Sequence, residues 1–258
     1  MKRLVRHAGN LLNSFHKNLQ KSNRYTDKKD IHNLRLDLKQ IFALLKVLDL
    51  CMGNISKDFY KSVKTVHKLF KLTGIIRDNQ LILKRAKQTL PFKPYKTVKR
   101  ITDKNIKKAS QALEESLEQI NIKQVRQDLI LGFKETLHVR ADMVIHHLKH
   151  RINRDEKKIS KELAQKETDF HLIRRLVKEQ FFLLVTLKEV FGVNVGYSKV
   201  AHKEKLGKDL GEWHDWVVCK SKIEEWDVGL DDVWWKLIAD QPEKILKRTL
   251  KNHLLHVS

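Results

Sequence analysis

Apolar residues recur along most of the chain at the three- and four-residue spacing of an amphipathic helix. The stretch DIHNLRLDLKQIFALL, residues 30–45, shows the pattern clearly when each residue is rotated by about 100°. One side of this helix carries Ile31, Leu34, Leu38, Ile41, Phe42 and Leu45. No stretch shows the sustained alternation that is typical of a β-strand. The pattern therefore predicts an all-α protein.

The predicted helices are long and the breaks between them are short. The spacing predicts helices over 2–21, from an N-cap at Thr26 or Asp27 to about Leu50, and over 56–90, 96–120, 122–151, 169–191, 198–226 and 231–256. The segment CMGNIS ends the second helix, and PFKPY at 91–95 predicts the clearest turn. The segment LTGIIRD predicts an interruption or bend in the third helix. The charged segment 154–167 fits either a solvated helix or a mobile connector.

A second edge of the helix at 30–45 is basic. His32, Arg35 and Lys39 fall within roughly 60° of each other, beside the apolar side. A surface helix would usually offset such charges with acidic residues at i,i+4, but only Asp37 is near and it does not share the edge. For one helix alone, a solvated edge is the simpler interpretation. The basic edge nevertheless fits a negatively charged partner.

The same pattern occurs again in the second half of the chain. IHNLRLDLKQIFALLKVL from Ile31 matches FHLIRRLVKEQFFLLVTL from Phe170 without a gap. The match aligns His32 with His171, Arg35 with Arg174, and Lys39 with Lys178. This recurrence favours the functional interpretation of the basic edge over the solvated one.

A second repeated segment follows each basic helix at nearly the same distance. KLFKLTGIIRDNQ from Lys68 matches KLGKDLGEWHDWV from Lys205, so that Gly74 aligns with Gly211 and Asp78 with Asp215. Two motifs in the same order indicate an internal duplication. We expect one domain over residues 1–258, with repeats of approximately 1–120 and 121–258 related by a pseudo-twofold axis.

Charge narrows the range of partners. The 258 residues include 53 Lys and Arg against 31 Asp and Glu, a net charge of +22, while 41% hydrophobic residues allow a real core. Such a field attracts polyanions: nucleic acid, an anionic membrane surface or an inorganic polyanion. A merely soluble, lysine-rich surface is the alternative.

Signals for export or membrane insertion are not found. The amino terminus lacks the apolar core of a signal peptide, and the apolar run FFLLVTL is far shorter than the ~20 residues that span a bilayer. Cys51 and Cys219 fit no metal or redox spacing, as expected of thiols in a reducing compartment. We expect a cytoplasmic protein without membrane insertion.

A helix with His-x-x-Arg-x-x-x-Lys, followed by a Gly-x-x-Arg-Asp helix break and repeated once, resembles the CHAD domain, the conserved histidine α-helical domain. The resemblance covers roughly residues 5–250. It implies two helical bundles around a central basic cavity or pore, and it implies binding of inorganic polyphosphate without a cofactor. It also suggests a role at polyphosphate granules, with their proteins as partners, or in polyphosphate metabolism.

The resemblance places the binding residues by position. The matching residues are His32, Arg35, Lys39, His171, Arg174 and Lys178. Arg77 and His214 precede the motif aspartates, and Arg175 lies beside the second basic edge. Lys68, Lys71, Lys205 and Lys208 are expected as further contacts. Gly74, Asp78, Gly211 and Asp215 are interpreted as mainly architectural.

The chain departs from the family pattern at several positions. Gln40 and Glu179 stand where family members often carry a second basic residue. His214 replaces the arginine that Arg77 supplies in the first half, and Phe182 is the aromatic nearest to a tyrosine common in the family. These departures bear on the strength and path of ligand binding.

Other patterns have simpler interpretations. The exposed side of the third helix carries a lysine stripe at Lys57, Lys61, Lys64, Lys68 and Lys71. Asp142, His146 and His150 could offer three metal ligands on one helix, although a basic surface is the favoured interpretation. We expect the clustered tryptophans to pack in the carboxyl-terminal half rather than stack on nucleic acid: Trp213, Trp216, Trp226, Trp234 and Trp235.

No catalytic motif stands out, and we expect a binding protein rather than an enzyme. Phosphate-binding glycine loops, nucleophile elbows and zinc-protease motifs are not found in the sequence. The main alternative is a sequence-nonspecific nucleic-acid binder that uses the outer lysines. A phosphohydrolase using the His146 region is a third possibility.

Overall fold

The computed structural model describes residues 1–21, 26–49 and 56–253. Leu50, Cys51 and most of the predicted break CMGNIS lie outside these residues. Within them the chain forms helices and no strand, which confirms the all-α prediction. The helices are α1 Lys2–Lys21, α2 Lys28–Asp49, α3 Lys57–Thr89, α4 Phe92–Glu118, α5 Ile122–Glu135, α6 Ala141–Leu163, α7 Phe170–Glu189, α8 Tyr197–Glu225 and α9 Asp232–His253, with a 3₁₀ turn at Thr136–His138.

Polar caps fix where several helices begin. The Asp27 carboxylate accepts hydrogen bonds from the backbone N–H groups of Lys29 and Asp30, at 2.7 and 3.0 Å, and these bonds lower the pKa of Asp27. Asp169 accepts from the N–H of Leu172 at 2.9 Å in the same way. The predicted start at Asp27 is therefore confirmed.

Helix α3 runs without interruption through LTGIIRD, so the predicted interruption is wrong. Gly211 likewise lies inside α8, and the helix-break interpretation fails in both repeats. One glycine costs a helix only about 1 kcal/mol relative to alanine. Fully buried neighbours such as Leu69 and Ile76 hold α3 against the core and offset that cost.

Two other predicted boundaries change. The turn at 91–95 is shorter than predicted because Pro94 lies in the first turn of α4, where a backbone N–H is not required. The single helix predicted over 122–151 is two helices, α5 and α6, joined through the 3₁₀ turn. Buried Thr136 donates its hydroxyl to the Phe133 carbonyl at 2.7 Å, a local bond that favours a turn. The charged segment 154–167 is helical up to Leu163.

The helices that carry the two motifs pack as equivalent pairs. Helix α2 packs on α3, and α7 packs on α8; α2 also contacts α7, and α3 contacts α8. Helices α1, α4 and α5 pack around the first pair, while α6 and α9 flank the second. The four motif helices are therefore connected by direct contacts within each pair and between the two pairs.

The tryptophans pack as predicted. Trp213 and Trp216 are buried in a core cluster between α3, α4, α8 and α9, and Trp226 and Trp235 pack against it. Trp234 is half-buried. Their rings stabilise the carboxyl-terminal half.

Candidate functional site

Arg35 is held in a fixed position by helix α3. Its Nη1 donates to the Phe70 carbonyl at 2.9 Å and lies 3.5 Å from the Thr73 hydroxyl, while its guanidinium lies 4.3 Å from the centre of the Phe70 ring. A Cβ at Gly74 would come within 3.0 Å of Nη1. The motif glycine therefore makes room for an arginine head group, which explains it better than a helix break.

Arg174 and Lys178 both lie on α7, which packs against α8, and they have fewer constraints than Arg35. A Cβ at Gly211 would lie 3.7 Å from Lys178 Nζ, an ordinary contact distance. Arg174 Nε is buried, and no hydrogen-bond partner for it lies among the described residues. The two halves thus present the same residue types with different degrees of anchoring.

Six charged residues from the two halves form one electrostatic unit, which we call the central cluster: Arg35, Lys39, Asp78, Arg174, Lys178 and Asp215. Charges act across the halves, because Arg174 and Asp215 both shift the pKa of Lys39, while Arg35 and Lys39 shift that of Lys178. Four basic residues therefore share the cluster with two carboxylates. The structure brings four of the six principal predicted residues together.

Burial makes the cluster lysines unusually weak bases. Burial, followed by the charges of Arg35 and Arg174, lowers the pKa of Lys39 to about 8. Burial, followed by Arg174 and Lys39, lowers the pKa of Lys178 to about 7. Burial also lowers the pKa values of Arg35 and Arg174. Keeping these four side chains protonated therefore costs free energy, because burial disfavours their charged forms.

Asp78 and Asp215 are charged members of the cluster, which the sequence interpretation as architecture missed. Burial raises the pKa of each carboxyl group, and the neighbouring cations oppose that rise. Arg35 is the strongest opposing charge at Asp78, and Arg174 at Asp215. The signal was present in the sequence as an aligned aspartate, but its surroundings depend on how α2 and α7 pack.

Arg77 and His32 lie beside the cluster on the first half. Arg77 is half-buried and His32 is exposed. Desolvation, followed by the charges of Arg77, Lys39 and Arg35, lowers the pKa of His32. His32 is therefore neutral at pH 7 in the absence of an anion.

His171 and His214 form an aromatic group on the second half. The His171 ring lies 4.7 Å from the Trp213 ring and 5.2 Å from the His214 ring. Burial, followed by the charges of Arg174, His171 and Lys178, lowers the pKa of His214 to about 4. His214 Nδ1 is buried, and none of the described residues bonds to it. His214 is thus a neutral imidazole next to strong cations.

The other residues predicted to contact the ligand are exposed and form no hydrogen bond with the central cluster. Lys68, Lys71, Lys205 and Lys208 are all exposed, and none forms an ion pair with a described carboxylate. Arg175 is exposed and lines a separate cavity between α2, α6 and α7. The structure does not bring these five into hydrogen-bonded contact with the central cluster.

The structure also locates the candidate metal ligands on α6 and the Cys219 thiol on α8. Asp142, His146 and His150 are exposed, and Asp142 pairs with Arg140. In the described part of the chain, no three His, Cys, Asp or Glu side chains are arranged to hold a metal ion. Cys219 is buried in the tryptophan core, and burial raises the pKa of its thiol to about 12.

Comparison with known proteins decides the family. The family model described as the CHAD domain matches residues 6–223. The chain belongs to the CHAD family. The crystal structure of the CHAD domain from the plant Ricinus communis is similar in fold to this CHAD protein, with a TM-score of 0.69 at 15% sequence identity. The alignment covers 99% of this chain and 87% of that one.

No curated protein matches this CHAD protein. None of the helices in the described ranges is long and apolar enough to cross a membrane.

Proposed function

We propose that this CHAD protein binds inorganic polyphosphate at the central cluster. The observation that carries the proposal is the convergence of Arg35, Lys39, Arg174 and Lys178 from two halves, with only two carboxylates among them. Burial lowers the pKa values of all four, and repulsion by neighbouring cations further lowers those of Arg35, Lys39 and Lys178. An added polyanion would relieve that repulsion.

Water reaches the cluster even though protein surrounds it. The Asp78 side chain is exposed, yet desolvation by neighbouring protein atoms raises its pKa. A carboxylate at the wall of an open recess has both properties, because water touches its oxygens while protein surrounds it on the other sides. A recess of this kind would admit a narrow chain-like anion.

The residue types suit a repeating phosphate. Polyphosphate carries about one negative charge per unit, so recognition resembles that of a nucleic-acid backbone, with counterion release contributing to affinity. The Arg35 and Arg174 guanidinium groups can each contact two phosphate oxygens, and the lysines supply movable point charges. Four cations in one place could contact several successive units.

We propose a binding role without turnover, located at polyphosphate granules in the cytoplasm. Phosphate hydrolysis by a bound metal needs clustered carboxylates. Asp78 and Asp215, the two carboxylates of the cluster, are instead surrounded by arginine and lysine. Their surroundings favour holding an anion over activating water.

A competition titration tests this function. Labelled long-chain polyphosphate is bound to the wild type and to Lys39→Met with Lys178→Met, which removes two amino groups while keeping similar side-chain volume. The matched control is Lys57→Met with Lys61→Met, two exposed lysines of α3. Single- and double-stranded DNA serve as competitors at moderate salt.

We expect the cluster variant to lose about tenfold or more in affinity, while the control stays within about twofold. Polyphosphate should displace DNA efficiently. Equal losses in both variants, or equal competition by DNA, would contradict the proposal. That result would assign binding to the outer lysines, as expected of a nonspecific nucleic-acid binder.

A further inference from the structure

A second basic site lies outside the central cluster. Helices α2, α6 and α7 border a cavity of about 540 Å³ that is open to solvent. Its lining includes five basic residues: Lys46, Arg151, Lys158, Lys161 and Arg175. At about 100° per residue, the α7 residues in this lining occupy a different side of the helix from Arg174 and Lys178. The cavity is therefore separate from the proposed polyphosphate site.

The two carboxylates of the cavity already have partners. Glu179 accepts hydrogen bonds from Lys46 Nζ and from Arg151 Nη2, the latter at 2.9 Å. Glu162 accepts a hydrogen bond from the Asp169 backbone N–H at 2.8 Å. Glu179 thus ties α2, α6 and α7 together and shapes the cavity, and neither carboxylate neutralises the other cations.

Three cations of the cavity are left without a counter-charge. Lys158, Lys161 and Arg175 form no ion pair with any carboxylate in the described ranges. They lie on two helices, α6 and α7, that pack against each other. An anion entering the cavity could contact all three without breaking an existing ion pair.

The lining combines basic and apolar side chains, and this combination indicates the class of ligand. Leu172 and Leu176 contribute an apolar wall next to the cations, and Gln165 contributes an amide. Cavities of roughly 300–1,000 Å³ with apolar walls and a few polar groups are typical of small-ligand sites. A compact anion with several phosphate groups fits the charge and the volume.

The cavity is not a product of the repeated motif. The α2 positions that align with Arg175, Leu176 and Glu179 are Leu36, Asp37 and Gln40. Asp37 is buried and accepts a hydrogen bond from Asn18 Nδ2 at 2.6 Å, so α1 covers this side of α2. Among the described residues, the aligned side of α2 therefore carries no such basic lining, although α2 contributes Lys46 to this cavity.

We propose that this cavity is a second anion site, which takes a compact di- or triphosphate independently of the central cluster. Arg175, Lys158 and Lys161 bind the phosphate groups. Leu172 and Leu176 contact the body of a phosphate ester, if the ligand carries one. Glu179 is a positioning residue that holds Lys46 and Arg151 at the wall.

The test uses Lys39→Met with Lys178→Met as the background, so that binding at the central cluster does not mask the cavity. Inorganic tripolyphosphate and a nucleoside triphosphate are titrated calorimetrically into this background. The cavity variant adds Lys161→Gln and Arg175→Gln. The matched control adds Lys157→Gln and Lys166→Gln, which remove the same charge from exposed positions outside the cavity.

We expect the cavity variant to weaken binding about tenfold or more, and the control to change it by less than about threefold. Tighter binding of the nucleoside triphosphate than of tripolyphosphate would identify an ester ligand; the reverse would identify an inorganic one. Equal losses in the cavity variant and the control would overturn the proposal, whatever the central cluster binds.

A second readout does not depend on substitution. Lysine acetylation by a small reagent, mapped by mass spectrometry, should fall at Lys158 and Lys161 when tripolyphosphate is added to the background protein. Lys157 and Lys166 should react equally with and without it. Uniform protection of all four lysines would also contradict a defined site.

Discussion

At the scale of single residues, Gly74 and Gly211 occupy the same motif position and have different neighbours. The missing side chain at Gly74 admits the Arg35 guanidinium, which approaches to 3.0 Å of where a Cβ would stand. At Gly211 the nearest group, Lys178 Nζ, would lie 3.7 Å away. Only the first half therefore needs the glycine for close approach.

We predict that Gly74→Ala weakens polyphosphate binding about threefold to tenfold. The new methyl group pushes Arg35 Nη1 off the Phe70 carbonyl and moves the guanidinium in the cluster. Alanine favours a helix over glycine by up to about 1 kcal/mol, so the substitution should still stabilise α3. Affinity is measured by titration, and the free energy of unfolding by denaturant.

Gly211→Ala is the matched control, because its methyl group meets only an ordinary contact. It should leave affinity within about twofold of the wild type while stabilising the protein. If both variants bind equally well, the fixed position of Arg35 is irrelevant to the ligand.

The sequence predicts the basic residues of the site better than their surroundings. The aligned motifs identify Arg35, Lys39, Arg174 and Lys178, because identical spacing puts them on equivalent helix faces. They do not reveal that Phe70 anchors Arg35, since that contact joins two helices far apart in the sequence. Phe70 lies two residues after the repeated Lys68 and aligns with Gly207 on α8. Arg174 therefore has no phenyl ring at the matching position.

At the scale of helices, the close packing of α3 on α5 depends on a second glycine. A Cβ at Gly132 would stand 2.3 Å from Cδ2 of the Phe59 ring, and Phe59 is buried. No real contact is that short, so either the ring or α5 would have to move. This contact sets the distance between the two helices.

We predict that Gly132→Ala lowers the free energy of unfolding by about 1–3 kcal/mol, as overpacking of a core does. Gly9→Ala in α1 is the control, since nothing lies within 4 Å of its Cβ position. The control should gain up to about 1 kcal/mol from helix propensity. Denaturant unfolding followed by circular dichroism measures both; a stable Gly132→Ala would show that the ring is free to move.

Helix prediction succeeds where apolar spacing and capping agree. The starts at Asp27 and Asp169 and the bounds of α1 follow from local patterns. It fails at Gly74, where tertiary packing outweighs a weak local preference, and at Thr136, where a buried hydroxyl ends α5. Local signals do not report how much burial a neighbouring helix supplies.

At the scale of the whole molecule, two kinds of lysine share the charge of +22. A lysine side chain in water has a pKa of about 10.4, above the physiological range. Lys39 and Lys178 have pKa values of about 8 and about 7, lowered by burial first. The charge of these two lysines therefore changes near neutral pH.

We predict that polyphosphate binding weakens as the pH rises from 7 to 9. The charged lysines bind the anion, and the bound anion raises both lysine pKa values, so binding takes up protons in this window. Calorimetry at pH 8 in two buffers of different ionisation enthalpy measures the uptake.

The variant with Lys39→Met and Lys178→Met serves as the control for proton uptake. It should take up fewer protons and show a flatter dependence on pH. Binding that does not involve Lys39 and Lys178 predicts the same pH dependence and the same proton uptake in the wild type and in this variant.

The unbroken helix α3 also limits how the length of this chain could vary during evolution. Its 33 residues form a rod about 50 Å long that contacts α2, α4, α5 and α8. One residue inserted between Phe59 and Phe70 would turn everything beyond it by about 100° and shift it by about 1.5 Å. Phe70, Gly74 and Asp78 would then leave Arg35 while Phe59 stayed in place. Insertions and deletions should be tolerated between helices, such as at 164–169 or 190–196, and rejected within this rod.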